Sequence, residues 1–82
     1  MVTFTKHARE KFEVLKRHDI LIFEHQVLEA IRNPEHIDHS RAPLIIAQRT
    51  IDSRHVLRVV YKQEGKDVIV ITFYPGRMKQ YG

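Results

Sequence analysis

His55-Val56-Leu57-Arg58-Val59-Val60-Tyr61-Lys62, then Gln63-Glu64-Gly65-Lys66, then Val68-Ile69-Val70-Ile71-Thr72-Phe73-Tyr74 is the stretch on which the fold turns. Two runs rich in β-branched and aromatic residues flank a short polar segment with a glycine. That is the pattern of two strands joined by a tight turn. They are the most hydrophobic runs of the chain, so both are expected to be central or well covered.

The same two-residue period continues upstream over 44–50 and 36–39. Arg41-Ala42-Pro43 and Asp52-Ser53 read as the turns between strands. Such short connections favour antiparallel neighbours. Earlier still the period becomes 3.6. Ala8, Phe12 and Leu15 predict a helix over 6–17, with Thr5 as its cap. His18-Asp19 breaks that pattern. Val27, Leu28, Ala30 and Ile31 predict a second helix over 23–32, which Asn33-Pro34 ends because the residue before proline resists helical geometry. Val2 to Phe4 reads as a short first strand. Downstream, Pro75 and Gly76 are expected to stop the last strand. The expected architecture is α+β, with two N-terminal helices packed on a four-stranded antiparallel sheet in a single domain over 1–82.

Strict alternation places Ile69, Ile71 and Phe73 on one face of the last strand, and Val68, Val70, Thr72 and Tyr74 on the other. On the preceding strand Leu57, Val59 and Tyr61 oppose Val56, Arg58, Val60 and Lys62. One consistent register puts Arg58, Thr72 and Tyr74 on the less covered face, with Arg77 and Tyr81 arriving from the tail. The bland alternative leaves Arg58 as a solvated sheet residue whose stem lies on Val56 and Val60.

The chain has 82 residues, of which 43% are hydrophobic, enough for one core and too apolar for a disordered chain. Cysteine is absent, which removes disulfides and thiolate metal sites and fits a reducing cytoplasm. No apolar run reaches bilayer-spanning length, and the start lacks the layout of a signal peptide. A cytoplasmic protein is therefore expected. Lys plus Arg is 14 against 10 for Asp plus Glu, giving +4 before six histidines are counted. That balance favours a polyanion or an acidic partner over a neutral one.

Four spaced motifs carry a family resemblance: His7-Ala8-Arg9-Glu10-Lys11, Ile31-Arg32-Asn33-Pro34-Glu35, Leu57-Arg58-Val59-Val60-Tyr61 and Ile71-Thr72-Phe73-Tyr74-Pro75-Gly76-Arg77. Together they resemble a small, uncharacterised prokaryotic family grouped with the RelE/ParE toxin superfamily. The resemblance implies two helices on an antiparallel sheet and membership of a toxin–antitoxin pair. RelE-like members cut ribosome-bound mRNA; ParE-like members poison gyrase. Both are neutralised by an antitoxin, here expected to be acidic. Many family members carry arginine where Lys11 stands, so the charge is kept but the two-pronged donor is lost.

Metal-free RNA cleavage needs a base, an acid and cations on the phosphoryl oxygens. His7 is the candidate base or acid, Arg58 and Arg77 the candidate phosphate contacts, and Tyr81 a candidate proton donor or stacking group. Lys11, Tyr74 and Lys79 are the candidate RNA-binding residues around them. For His7 the alternative is a helix-start residue that bonds locally, and for the tail a solvated terminus. His36 and His39 point to opposite faces of a strand, so no metal and no cofactor is expected. The rival readings are a ParE-like protein with a protein target, a non-enzymatic binding module, and a protein with this fold but no toxin role.

Overall fold

The structure is a computed structural model, and residues 1–77 are described. The elements run β1 (Val2–Phe4), α1 (Lys6–Arg17), α2 (Glu24–Arg32), β2 (His36–Asp38), β3 (Ile45–Thr50), β4 (His55–Glu64) and β5 (Asp67–Arg77). The fold is α+β. The strands form one sheet in the order β1-β5-β4-β3-β2.

The expected antiparallel meander is present from β2 to β5. The sheet nevertheless has five strands and is mixed, because β1 pairs parallel with β5, Val2 opposite Val68 and Phe4 opposite Val70. The helices provide the crossover that a parallel pair needs. Both helices cover one face.

Each helix end has a physical cause. Thr5 Oγ1 accepts from the Ala8 amide at 3.1 Å and donates to the Ile71 carbonyl at 3.2 Å, so one hydroxyl caps α1 and ties it to β5. At the other end Asp19 adopts φ 61°. The Ile20 amide reaches back to the Leu15 carbonyl at 2.9 Å, and the Asp19 amide to Lys16 at 3.0 Å. This is a Schellman ending with aspartate where glycine is usual. Leu15 and Ile20 both join the core there. The cap of α2 is Phe23, whose amide donates to Gln26 Oε1 at 2.8 Å.

The core lies between the helices and the sheet. Ala8, Leu15, Val27 and Ala30 meet Ala47, Leu57, Val59, Tyr61, Val70 and Phe73 there. Phe12 bridges the layers, its ring 4.6 Å from that of Phe73 and 5.9 Å from that of Phe4. Burial raises the Tyr61 phenol above its ordinary range.

Two sequence expectations about β5 are corrected. Alternation does not run unbroken, because Val60 pairs with Thr72 while Tyr61 pairs with Val70. Ile71 is the extra residue of a β-bulge. Val70 and Phe73 therefore share the helix-side face, both fully buried, whereas Ile71 and Phe73 do not form one apolar stripe. Nor do Pro75 and Gly76 end the strand, since Leu57 pairs with Pro75, Val56 with Gly76 and His55 with Arg77. Beyond the β1 pairing at 68–70, β4 is the only described neighbour of β5. Proline is tolerated on such an edge, where its missing N–H interrupts no second ladder.

Candidate functional site

The register fixes which predicted residues can meet. Arg58 lies opposite both Gln48 and Tyr74, on the sheet face away from the helices. Thr72, opposite Val60, shares that face. The expected grouping of Arg58, Thr72 and Tyr74 is thus present, but the face is not open at its centre. Ile46, Gln48 and Val56 are buried there, and the Arg58 side chain keeps only 12% of its surface exposed. Its Nη2 stands 3.8 Å from Asp38 Oδ2, and its guanidinium 6.0 Å from the Tyr74 ring centre. The Asp38 carboxyl is held below its ordinary range by the Ser40 hydroxyl, then by the Ser40 amide, with Arg58 and His36 adding to the effect.

His7 and Lys11 lie on α1, on the other side of the sheet from Arg58 and Tyr74. His7 is exposed and Lys11 half-buried. The structure does not bring them together with Arg58, so the expected single site with the first helix as one wall is not assembled. Arg77 is also separated from Arg58. Its register position opposite His55 puts it on the helix-side face, beyond Pro75 and Phe73. Lys79 and Tyr81 lie outside the described residues.

A different constellation appears where Arg77 ends β5. The turn into β4 is built on Asp52, whose Oδ1 accepts from the Arg54 and His55 amides, each at 2.8 Å. The same carboxylate meets His55 Nδ1 at 3.0 and 3.1 Å through its two oxygens. The Arg54 amide, the His55 ring and the His55 amide, in that order, hold the Asp52 carboxyl below its ordinary range. A carboxylate can only accept, so Nδ1 carries the proton and Nε2 of the neutral ring is left as the basic nitrogen. The pair lines a cleft of about 220 Å³ walled by Ile20, Leu21, Ile51 and Pro75, with Asp19 at its rim. The residue order Asp-Ser-Arg-His held the signal for this pair: a turn aspartate three positions before a strand-opening histidine. Reading Asp52-Ser53 only as a turn missed it.

Beside this cleft, and sharing Ile51 with it, lies a second of about 140 Å³ lined by His25, Gln26, Glu29, Arg49 and Thr50. Arg49 Nη1 donates to the Asn33 carbonyl at 2.8 Å, which fixes the end of α2 against β3. Glu35 accepts from the Thr50 amide at 2.8 Å and its hydroxyl at 2.7 Å. The hydroxyl contact, then the amide, and Arg49 besides, keep the Glu35 carboxyl below its ordinary range.

Among the described residues no group of three or more His, Asp or Glu side chains is arranged to hold a metal ion. Nor is any described helix long and apolar enough to cross a membrane. No protein-family model matches the chain, and neither does any curated protein or solved structure.

Proposed function

We propose that this chain is a RelE/ParE-like protein that binds RNA and cleaves ribosome-bound mRNA without a metal, as the toxin half of a toxin–antitoxin pair in the cytoplasm. The observation that carries the reading is the Asp52–His55 pair, oriented at 3.0 Å and lining a cleft at the end of β5 where Arg77 sits opposite His55. The net charge of +4 supports a polyanionic partner.

His55 Nε2 takes the proton of a ribose 2′-hydroxyl as its oxygen bonds to the adjacent phosphorus. The bond from phosphorus to the 5′-oxygen breaks, and water protonates the departing oxygen. The products are a 2′,3′-cyclic phosphate and a 5′-hydroxyl. Asp52 holds the imidazole and stabilises its charged form, the role a carboxylate plays behind a catalytic histidine. Arg77 faces the phosphoryl oxygens. This reading moves the base from His7 to His55 and leaves Arg58 as a sheet residue bound up with Asp38.

Expression with transcript mapping tests it. The wild type is expected to arrest growth and leave cyclic-phosphate ends on translated mRNA. His55→Ala and Arg77→Ala are each expected to lower cleavage about 100-fold, the low end of the range for acid–base catalysis. Cleavage by His55→Ala at the wild-type rate would remove the pair from the mechanism. A short acidic protein encoded alongside would support the antitoxin. The second reading, a non-enzymatic binding module, is favoured by Arg58: the central cation of the sheet is engaged at 3.8 Å by Asp38. Growth arrest with intact mRNA and stalled gyrase would point instead to the ParE-like activity.

A further inference from the structure

The geometry points to a nucleobase-stacking subsite for single-stranded RNA, built from Phe23 and His25 beside the Glu29–Arg49 cleft. It rests on the RNA-binding reading above and extends the site by one position.

Phe23 is an anomalous choice on local grounds. It occupies the N-cap of α2, where serine, threonine, aspartate or asparagine would satisfy a free amide and phenylalanine has no acceptor to offer. Nor is it used by the core, because 48% of it stays exposed. Its ring instead stacks on the His25 imidazole, centres 5.7 Å apart and planes 14° from parallel. The rings stack on each other, so an unpaired base stacks on an outer face of the pair and not between them; every base offers a π-face for that.

The position fits the same ligand. His25 lines the 140 Å³ cleft, and Ile51 is common to that cleft and the one holding Asp52 and His55. Leu21, 59% exposed, lines the dyad cleft two residues before Phe23. Within the segment 21–25, Leu21 thus borders the cleft of the proposed reaction site and His25 the cleft beside it, with Phe23 stacked on His25. The lining polarity separates base from phosphate. The Glu29 carboxylate, whose Oε1 accepts from Asn33 Nδ2 at 2.9 Å, repels a phosphate but accepts from an exocyclic amino group through its other oxygen. The Gln26 amide nitrogen, beside an oxygen that takes the Phe23 amide, is a neutral donor of the kind that reads base edges. Arg49 is the cation of that wall. The subsite therefore takes a base, and the backbone phosphates belong nearer His55 and Arg77.

The test is fluorescence anisotropy with a labelled single-stranded RNA, a strand of the same backbone lacking bases, and the corresponding duplex. Phe23→Ala is expected to weaken single-strand binding about tenfold, the loss of one stacked base. The dependence of log K on log salt should keep its slope, because no phosphate contact is removed. Phe23→Trp restores binding, whereas the baseless strand does not distinguish wild type from Phe23→Ala. Far-UV circular dichroism checks that both variants are folded. If the wild type binds single-stranded RNA and Phe23→Ala binds it equally well, the subsite is overturned and the RNA reading stands. If the wild type binds none of the three ligands at low salt, the RNA reading falls and the subsite falls with it. A Phe23→Ala variant that keeps RNA binding but loses a protein partner also overturns the subsite.

Discussion

Replacing Val70 and Ile71 one at a time by alanine tests the β5 bulge, because the two neighbours exchange importance depending on whether the bulge is there. Val70 is fully buried in the helix-side core. Truncation to alanine removes two carbons, about 1.6 kcal/mol of transfer energy at about 0.8 per buried carbon. The cavity left behind adds about 1 kcal/mol, for a total near 2.5. Ile71 loses three carbons. On an unbroken alternation it would sit beside Phe73 in the core and cost about 3–4 kcal/mol. With the bulge it is half-buried and outside that core, so about 1 kcal/mol is expected. Both substitutions lose a β-branched residue from the same strand, so strand propensity largely cancels between them. A domain of 82 residues has a total stability of roughly 4–12 kcal/mol, which leaves both variants measurable. Thermal melts followed by far-UV circular dichroism should show Val70→Ala lowered by about 10–20 °C and Ile71→Ala by about 4–8 °C. Equal losses, or a larger loss for Ile71→Ala, would refute the bulge and with it the assignment of Val70 and Phe73 to the same face.

Asp19→Gly is expected to stabilise the fold by about 1 kcal/mol, since glycine adopts φ 61° without the penalty of a Cβ; chemical denaturation measures it. Thr5→Ala should cost about 1 kcal/mol by the same assay, because it removes the α1 cap along with the contact to Ile71. Asp52 has a lowered folded pKa, so its ordering of the β3–β4 turn is fully present above the ordinary aspartate value near 3.9 and is lost as pH falls through the lower folded value. The Arg54 and His55 amide resonances should report that loss in acid, and Asp52→Asn should remove their acid titration. Tyr61 has a raised folded pKa, so its contribution is intact below the ordinary tyrosine value near 10 and fades as pH rises through the folded one. Tyr61→Phe should flatten the alkaline fall in melting temperature.

Local pattern was legible where one period held. Ala8, Phe12 and Leu15 placed α1, and Thr5 its start, because helix amphipathicity and capping are read within a few residues. The meander followed from short polar turns. What stayed hidden depends on partners distant in sequence. Whether Pro75 ends a strand depends on which of its edges is paired, and β1 reaches only to the level of Val70. A bulge inserts one residue without a composition signal, and at Ile71 it reverses every facing assignment beyond it. The expected single site fails for a separate reason: which sheet face α1 covers is set by packing. That face is the one opposite Arg58, so His7 and Lys11 do not join Arg58 and Tyr74. The Asp52–His55 pair was within reach of sequence, since both residues belong to one turn. Its cleft was not, because Ile20, Leu21 and Pro75 come from three separate parts of the chain.

The parallel pairing of β1 with β5 has a kinetic meaning. It joins segments 66 residues apart, as the Thr5–Ile71 hydrogen bond spans, whereas the β3–β4–β5 meander closes through short turns. Closing a long loop costs entropy before any contact repays it, so the meander is expected to form first and β1 to dock last. Phe4, Phe12 and Phe73 meet only when that docking is complete. The strand that closes the sheet is also a short lock on it, three residues long like β2. Amide exchange should find the β1 hydrogen bonds opening well before those between β4 and β5, so that the fold loosens first at the edge farthest from β2.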